Sequence, residues 1–185
     1  MIAKRNFYSR NTIKVAQDLL GCFLLREYKG KIIKAMITEI EAYRGEYDLA
    51  SHASKGRTAR TEIMYGRPGH AYIYMIYGMY FMLNVVTEEK DFPAAVLIRA
   101  VETPCLPAGR HCNASLQKTL NGPGKLTKYL HIDKSLNGHD LTMREKLWIE
   151  CPEKKIKYKI IKSPRVGIEY ARHCKKWKWN FKITN

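Results

Sequence analysis

The sequence predicts an α+β fold: a single compact domain on a mainly antiparallel, curved β-sheet, with peripheral helices and one protruding β-hairpin. Three observations carry this. Apolar and polar residues alternate in short runs joined by turn formers, the pattern of consecutive hairpins rather than of βαβ crossovers. Helical periodicity is confined to short stretches near residues 12–20 and 125–131. A chain of 185 residues, 45% hydrophobic, supports one full core but not comfortably two, so residues 1–185 are read as one domain.

Taken in order, Asn11 caps a helix whose Val15, Leu19 and Leu20 form an apolar stripe ended by Gly21. Residues 22–28 read as a strand, Lys29-Gly30-Lys31 as a turn and residues 32–43 as the return strand. Residues 44–60 form a polar loop, after which Thr61 is a candidate cap for a helical turn at Glu62–Tyr65. Strands follow at residues 71–76 and 80–87, joined around Tyr77-Gly78-Met79, and a third at residues 95–100. Residues 104–121 are irregular, and Asn121-Gly122-Pro123-Gly124 leads into a helix from Lys125 to about His131. Further strands are expected at residues 147–150 and 165–168, and Trp177 and Trp179 are expected in a core-facing strand between solvated lysines.

Charge narrows the partner. Thirty-three Lys and Arg against seventeen Asp and Glu give a formal net charge of +16, which points to a polyanion such as nucleic acid. A lysine-rich soluble surface accounts for the same charge, whereas a membrane surface lacks the long basic amphipathic helix it needs. Residues 1–6 lack an apolar signal core, and no apolar run reaches spanning length, so an intracellular protein is expected: cytoplasm or nucleoid in a bacterium, nucleus in a eukaryote. Five cysteines without CxxC spacing read as scattered reduced thiols. Cys105, His111 and Cys112 lack a second ligand pair, so no metal or other cofactor is expected.

On the strand Ile37-Thr38-Glu39-Ile40-Glu41-Ala42-Tyr43, alternation places Glu39, Glu41 and Tyr43 on one face. If that face is a cleft wall, one carboxylate can act as a general base for water. A solvated strand face with scattered acids is the commoner reading of such a segment on its own. Tyr72, Tyr74, Tyr77 and Tyr80 fall within nine residues around a turn, with Tyr72, Tyr74 and Ile76 sharing a face and Tyr77 near the tip. Rings so placed can clasp an extruded base or wedge between base pairs, while an aromatic sheet core is the alternative. Positive charge lies beside them on Lys55, Arg57, Arg60 and Arg67. Gly124 and Lys125, before a helix start, suit a phosphate or a plain Gly-Pro cap; they do not form a nucleotide-triphosphate loop, because the GxxxxGK[ST] spacing is absent.

Read together, Glu41-Ala42-Tyr43, Ser51-His52, Arg57-Thr58, Arg60-Thr61, Ile76-Tyr77-Gly78-Met79-Tyr80, Val96-Leu97-Ile98-Arg99-Ala100, Asn121-Gly122-Pro123-Gly124-Lys125-Leu126 and Arg165-Val166-Gly167-Ile168 occur in an order that resembles the alkyladenine (3-methyladenine) DNA glycosylase family. The resemblance implies a monomeric, monofunctional enzyme of DNA repair that flips a damaged purine from duplex DNA and cuts its sugar–base bond. Glu41 would deprotonate the attacking water, which Arg99 and the Val166 carbonyl would help hold. Tyr43 would stack on one face of the base, with His52 and Tyr74 on the other, and Asn84 would line the floor and disfavour guanine's amino group. Tyr77 would fill the gap left in the duplex, with Gly124, Lys125, Arg57 and Arg60 as candidate backbone contacts. Two other readings are a glycosylase/lyase using Lys125 as a Schiff base and a non-catalytic module that stacks bases on its tyrosines.

Overall fold

The structure, a computed structural model, describes residues 1–103, 118–153 and 157–184. Its helices are α1 (Arg5–Tyr8), α2 (Thr12–Leu19) and α3 (Pro123–Tyr129). Its strands are β1 (Phe23–Tyr28), β2 (Lys31–Arg44), β3 (Ala71–Ile76), β4 (Tyr80–Val86), β5 (Ala94–Glu102), β6 (Thr119–Asn121), β7 (Leu147–Glu150), β8 (Lys159–Ser163) and β9 (Asn180–Thr184). Among the described residues all nine strands belong to one sheet, and every pairing is antiparallel. No helix among the described residues is long and apolar enough to cross a membrane.

The main path runs β3-β4-β5-β2-β1-β7. The long β2 is the pivot, because its two halves have different neighbours. Lys31 to Met36 pair with β1, whereas Glu39 to Glu41 lie between β5 on one side and β9 on the other. Two register shifts interrupt the β2–β5 ladder. Thr38 is the extra residue on β2 and Arg99 the extra one on β5, so the irregularities cancel within one turn of the pleat. Such bulges bend a strand and re-aim side chains, and this pair sits beside Glu39 and Glu41.

Strict alternation elsewhere divides the sheet into two faces. Ile37, Ile40 and Ala42 on β2, Leu83 and Val85 on β4, and Val96 and Ile98 on β5 enter the main hydrophobic core. Helix α2 closes that core with Val15, Ala16 and Leu19, its first turn capped by the Asn11 side chain accepting from the Ile13 and Lys14 amides at 3.1 and 3.4 Å. Helix α3 adds Leu126; its start is two residues earlier than predicted, because Pro123 fits the first turn, where no amide hydrogen is needed.

Several expectations are corrected, beginning with residues 119–121, which form β6 and are not irregular. Residues 165–168 form a turn and not a strand, because the Arg165 side chain is drawn inward and the Val166 amide donates to a carboxylate instead of a ladder partner. Thr61 does not cap Glu62–Tyr65; its hydroxyl accepts from the Thr58 amide and donates to the Gly56 carbonyl. The thiols are not all reduced: Cys22 and Cys151 form a disulfide, since pairing Phe23 with Glu150 leaves them opposite each other at the ends of β1 and β7. Cys174 is free and buried, while Cys105, His111 and Cys112 lie outside the described residues. Trp177 and Trp179 do not lie in a strand as expected: Trp177 follows a short helical turn and Trp179 precedes β9, both half-buried between exposed lysines.

Candidate active site

The face of the sheet turned away from the core is the wall of a cavity of about 260 Å³. Glu41 and Tyr43 reach it from β2, Tyr72, Tyr74 and Ile76 from β3, Met82 and Asn84 from β4, and Ala95, Leu97 and Arg99 from β5. All are odd or even partners of core residues on the same strands, so the period of two that builds the core also builds the cavity. Its roof comes from two loops, carrying Ser51 and His52 on one side and Val166, Gly167, Ile168 and Tyr170 on the other. Ala50, Ile168, Ala171 and Cys174 cluster beneath this roof and fasten the loops together.

Glu41 is fully buried. Its Oε1 accepts from the Val166 amide at 2.7 Å and from Asn180 Nδ2 at 3.1 Å, with Arg99 Nε 3.5 Å away. Its Oε2 accepts from the Tyr43 hydroxyl at 2.9 Å. Burial, and then the nearby Glu41 charge, push the Tyr43 hydroxyl well above its ordinary range, so it stays protonated and donates. Arg99 Nε bonds more closely to Glu39, at 3.0 Å. For Glu39, burial raises the pKa, but hydrogen bonds from Asn180 and Arg99 and the charges of Arg99 and Lys182 outweigh it, leaving the carboxyl below the usual range.

Around the carboxylate the cavity is aromatic. The His52 and Tyr74 rings meet edge to face with centroids 4.5 Å apart, and His52 Nδ1 lies 2.9 Å from the Tyr72 hydroxyl. Burial, together with the charges of Arg60 and Lys55, lowers the His52 pKa to about 4. The imidazole is therefore neutral at physiological pH and adds no positive charge to the cavity. Asn84 is buried, its Nδ2 donating to the carbonyls of Tyr72 at 3.1 Å and Met82 at 3.3 Å. Both its donors are thereby spent on the hairpin backbone.

The rim is built differently. The Ile76–Met79 turn is closed by the Met79 amide donating to Ile76 O at 3.2 Å, with Tyr77 at φ 51° in its centre. A left-handed tyrosine is strained by roughly 1–2 kcal/mol, and here its ring stands 84% exposed. Gly124 is needed for close approach: a Cβ there would lie 2.8 Å from the Tyr80 ring. Lys125 is exposed on α3 but does not line the cavity. Arg57 is engaged by Glu62 at 2.6 Å and Asp91 at 3.0 Å, and Arg60 sits 5.2 Å over the Tyr74 ring. The structure thus gathers Glu41, Tyr43, His52, Tyr74, Asn84, Arg99 and Val166 in one cavity, with Tyr77 at its edge, and leaves Gly124, Lys125, Arg57 and Arg60 outside it.

Sequence reasoning missed Asn180 and the Asp48–Arg165 pair. Asp48 and Arg165 have fully buried side chains and bond twice, at 2.5 and 2.7 Å. The guanidinium also donates to the Ala42 carbonyl and lies 4.7 Å from the centre of the Tyr43 ring. It backs that ring and anchors the turn from which the Val166 amide reaches Glu41. No local pattern marks either feature, since the partners are 117 and 139 residues apart.

The family model for methylpurine-DNA glycosylase matches residues 6–185. A protein from Methanocella arvoryzae, provisionally named a 3-methyladenine DNA glycosylase, is 44% identical over 192 residues, covering 100% of this chain and 93% of its own. One of the same name from Desulfitobacterium hafniense is 43% identical, over 98% of this chain and 94% of its own. Another from Clostridium tetani is 41% identical, over 100% and 97% respectively. With the family's match spanning both cavity and core, the chain belongs to the methylpurine-DNA glycosylase family.

Proposed function

We propose that the protein everts an alkylated or deaminated purine from duplex DNA into the tyrosine-walled cavity and hydrolyses its N-glycosidic bond, leaving an abasic site. The substrates are 3-methyladenine and 7-methylguanine, with ethenoadenine and hypoxanthine as neutral lesions. One observation carries the reading: the fully buried Glu41 carboxylate at the cavity floor, with Oε1 taken up by the Val166 and Asn180 donors and Oε2 meeting only the Tyr43 hydroxyl among the described residues.

Water bound at Oε2 gives its proton to Glu41, its oxygen bonds to the sugar C1′, and the bonding pair of the broken C–N bond leaves with the purine. The carboxylate also faces the positive charge that develops on the sugar. Oε2 accepts one hydrogen bond, from the Tyr43 hydroxyl, which leaves a second lone pair for the water. A purine alkylated at a ring nitrogen is cationic, which weakens its glycosidic bond and favours contact with the Tyr43 and Tyr74 rings. Neutral His52 does not oppose that charge, and the Asn84 oxygen lines the floor. Arg99 and the Val166 carbonyl would steady the water, and Tyr77 would take the vacated space in the base stack.

Two observations disfavour the rival readings. No lysine among the described residues lines the cavity, which removes the nucleophile a lyase needs. A module that only binds DNA gains nothing from a buried carboxylate. The test is single-turnover excision from a lesion duplex by Glu41→Gln, expected to fall about 10²–10⁴-fold while lesion binding persists. Near-normal excision by this variant would overturn the reading.

A further inference from the structure

Strand β9 places Asn180 between the two carboxylates that β2 presents on one face. Its Nδ2 donates to Glu39 Oε1 at 3.0 Å and to Glu41 Oε1 at 3.1 Å. Its Oδ1 accepts from the Ser163 hydroxyl at 3.3 Å, and the residue is 3% exposed. The orientation of the amide follows from these partners, because the reverse would set its oxygen against two carboxylates.

Resting on the assignment of Glu41 as general base, we infer that Asn180 is the positioning residue that shares one donor nitrogen between both glutamates and reserves Glu41 Oε2 for the water. Two buried carboxylates side by side drive one of them to take a proton unless donors intervene. The Arg99 guanidinium is not enough, because it lies closer to Glu39 (3.0 Å) than to Glu41 (3.5 Å). Lys182 lies 3.5 Å from Glu39 Oε2, half-exposed, and serves Glu39. The other charged or titratable groups around Glu41 are Tyr43 on its own strand, Tyr74 on β3, and Arg165 behind the Tyr43 ring. None of these supplies Oε1 with what Asn180 does: a neutral donor shared with the second carboxylate. With the Val166 amide it fills Oε1, so the lone pair free to accept a proton from water belongs to Oε2.

The test is the pH dependence of single-turnover release of 7-methylguanine from duplex DNA. This cationic base departs neutral without being protonated, so no general acid enters the acid limb, and because His52 titrates in wild type and variant alike, the difference between their limbs reports the general base. Asn180→Asp sets a third carboxyl against the pair. It is expected to lose about 100-fold in rate at neutral pH and to move the acid limb up by about one pH unit or more, with lesion binding retained. Asn180→Ser, which keeps a single short donor, is expected to lose about ten-fold with a smaller shift in the same direction. Should the Asp variant fail to fold, the Ser variant decides. A folded variant whose rate falls with the acid limb unmoved, or whose rate and limb both match the wild type, overturns the inference. Glu41→Gln in the same assay separates the two levels: if it still excises, the base assignment falls, and if it is inactive while the Asn180 variants keep a wild-type limb, only the role of Asn180 falls.

Discussion

At the cavity floor Glu41 is gripped from three places: Tyr43 on its own strand, Asn180 on β9 and the Val166 amide of the 165–168 turn. At the tip of the β3–β4 hairpin Tyr77 stands 84% exposed on a turn held by a hydrogen bond of 3.2 Å, with its backbone in the left-handed region. The floor is over-determined and the tip is strained and unsupported. A group that must present one oxygen to a water needs the first kind of environment. A side chain that is to enter a base stack needs the second, because its contacts are to be made with DNA and not with the protein. On the proposed function the same sheet would serve both, since a strand pinned at its middle can project a free turn at its end.

The comparison can be broken most severely at the floor. Asp48→Ala strands the buried Arg165 charge and loosens the turn that delivers the Val166 amide. Removing one partner of a buried pair costs about 3–5 kcal/mol, so urea denaturation should show a loss of that size. A loss below about 1 kcal/mol would mean that the pair does not brace the floor.

The tip should respond in the opposite sense for stability and for binding. Tyr77→Gly relieves the left-handed strain, so the folded protein should be unchanged or up to about 1 kcal/mol more stable. Affinity for lesion duplex should weaken by about 1–3 kcal/mol, the usual worth of an aromatic ring against a base. Unchanged affinity in a titration of lesion duplex would remove Tyr77 from the DNA contact.

The smallest effect lies between these regions, at His52. Its folded pKa is about 4 and its unfolded value about 6.5, so the unfolded chain binds the extra proton first. Stability is fully present above pH 6.5 and drains away as the pH falls towards 4. Because the ring is partly exposed, the loss is discounted to about 1 kcal/mol. His52→Gln should flatten this part of the stability–pH curve. Identical slopes for wild type and variant would show that the ring is not held neutral by burial.

How much was legible from the residues varies with distance along the chain. The alternation in residues 71–76 and 80–87 gave the hairpin, and the shared face of Glu39, Glu41 and Tyr43 held because all three follow the extra residue Thr38 on β2. Residues 165–168 read as a strand because an apolar alternation is the same whether its amides enter a ladder or turn towards a carboxylate. The cysteines misled for a related reason: Cys22 and Cys151 are separated by 129 residues, and only the pairing of β1 with β7 brings them together.

By itself the sequence determined the local rules: which side chains alternate, where the chain turns, and that Glu39, Glu41 and Tyr43 share one strand face and Tyr72 and Tyr74 another, the shared faces following from the two-residue period of a strand. The tertiary structure alone decided that this face closes into a cavity, that Asp48 and Arg165 brace its turn, and that Asn180 reaches Glu41 from the last strand. Those outcomes depend on contacts between elements far apart in the chain, and such contacts are fixed by how strands pair and curl, not by any run of neighbouring residues.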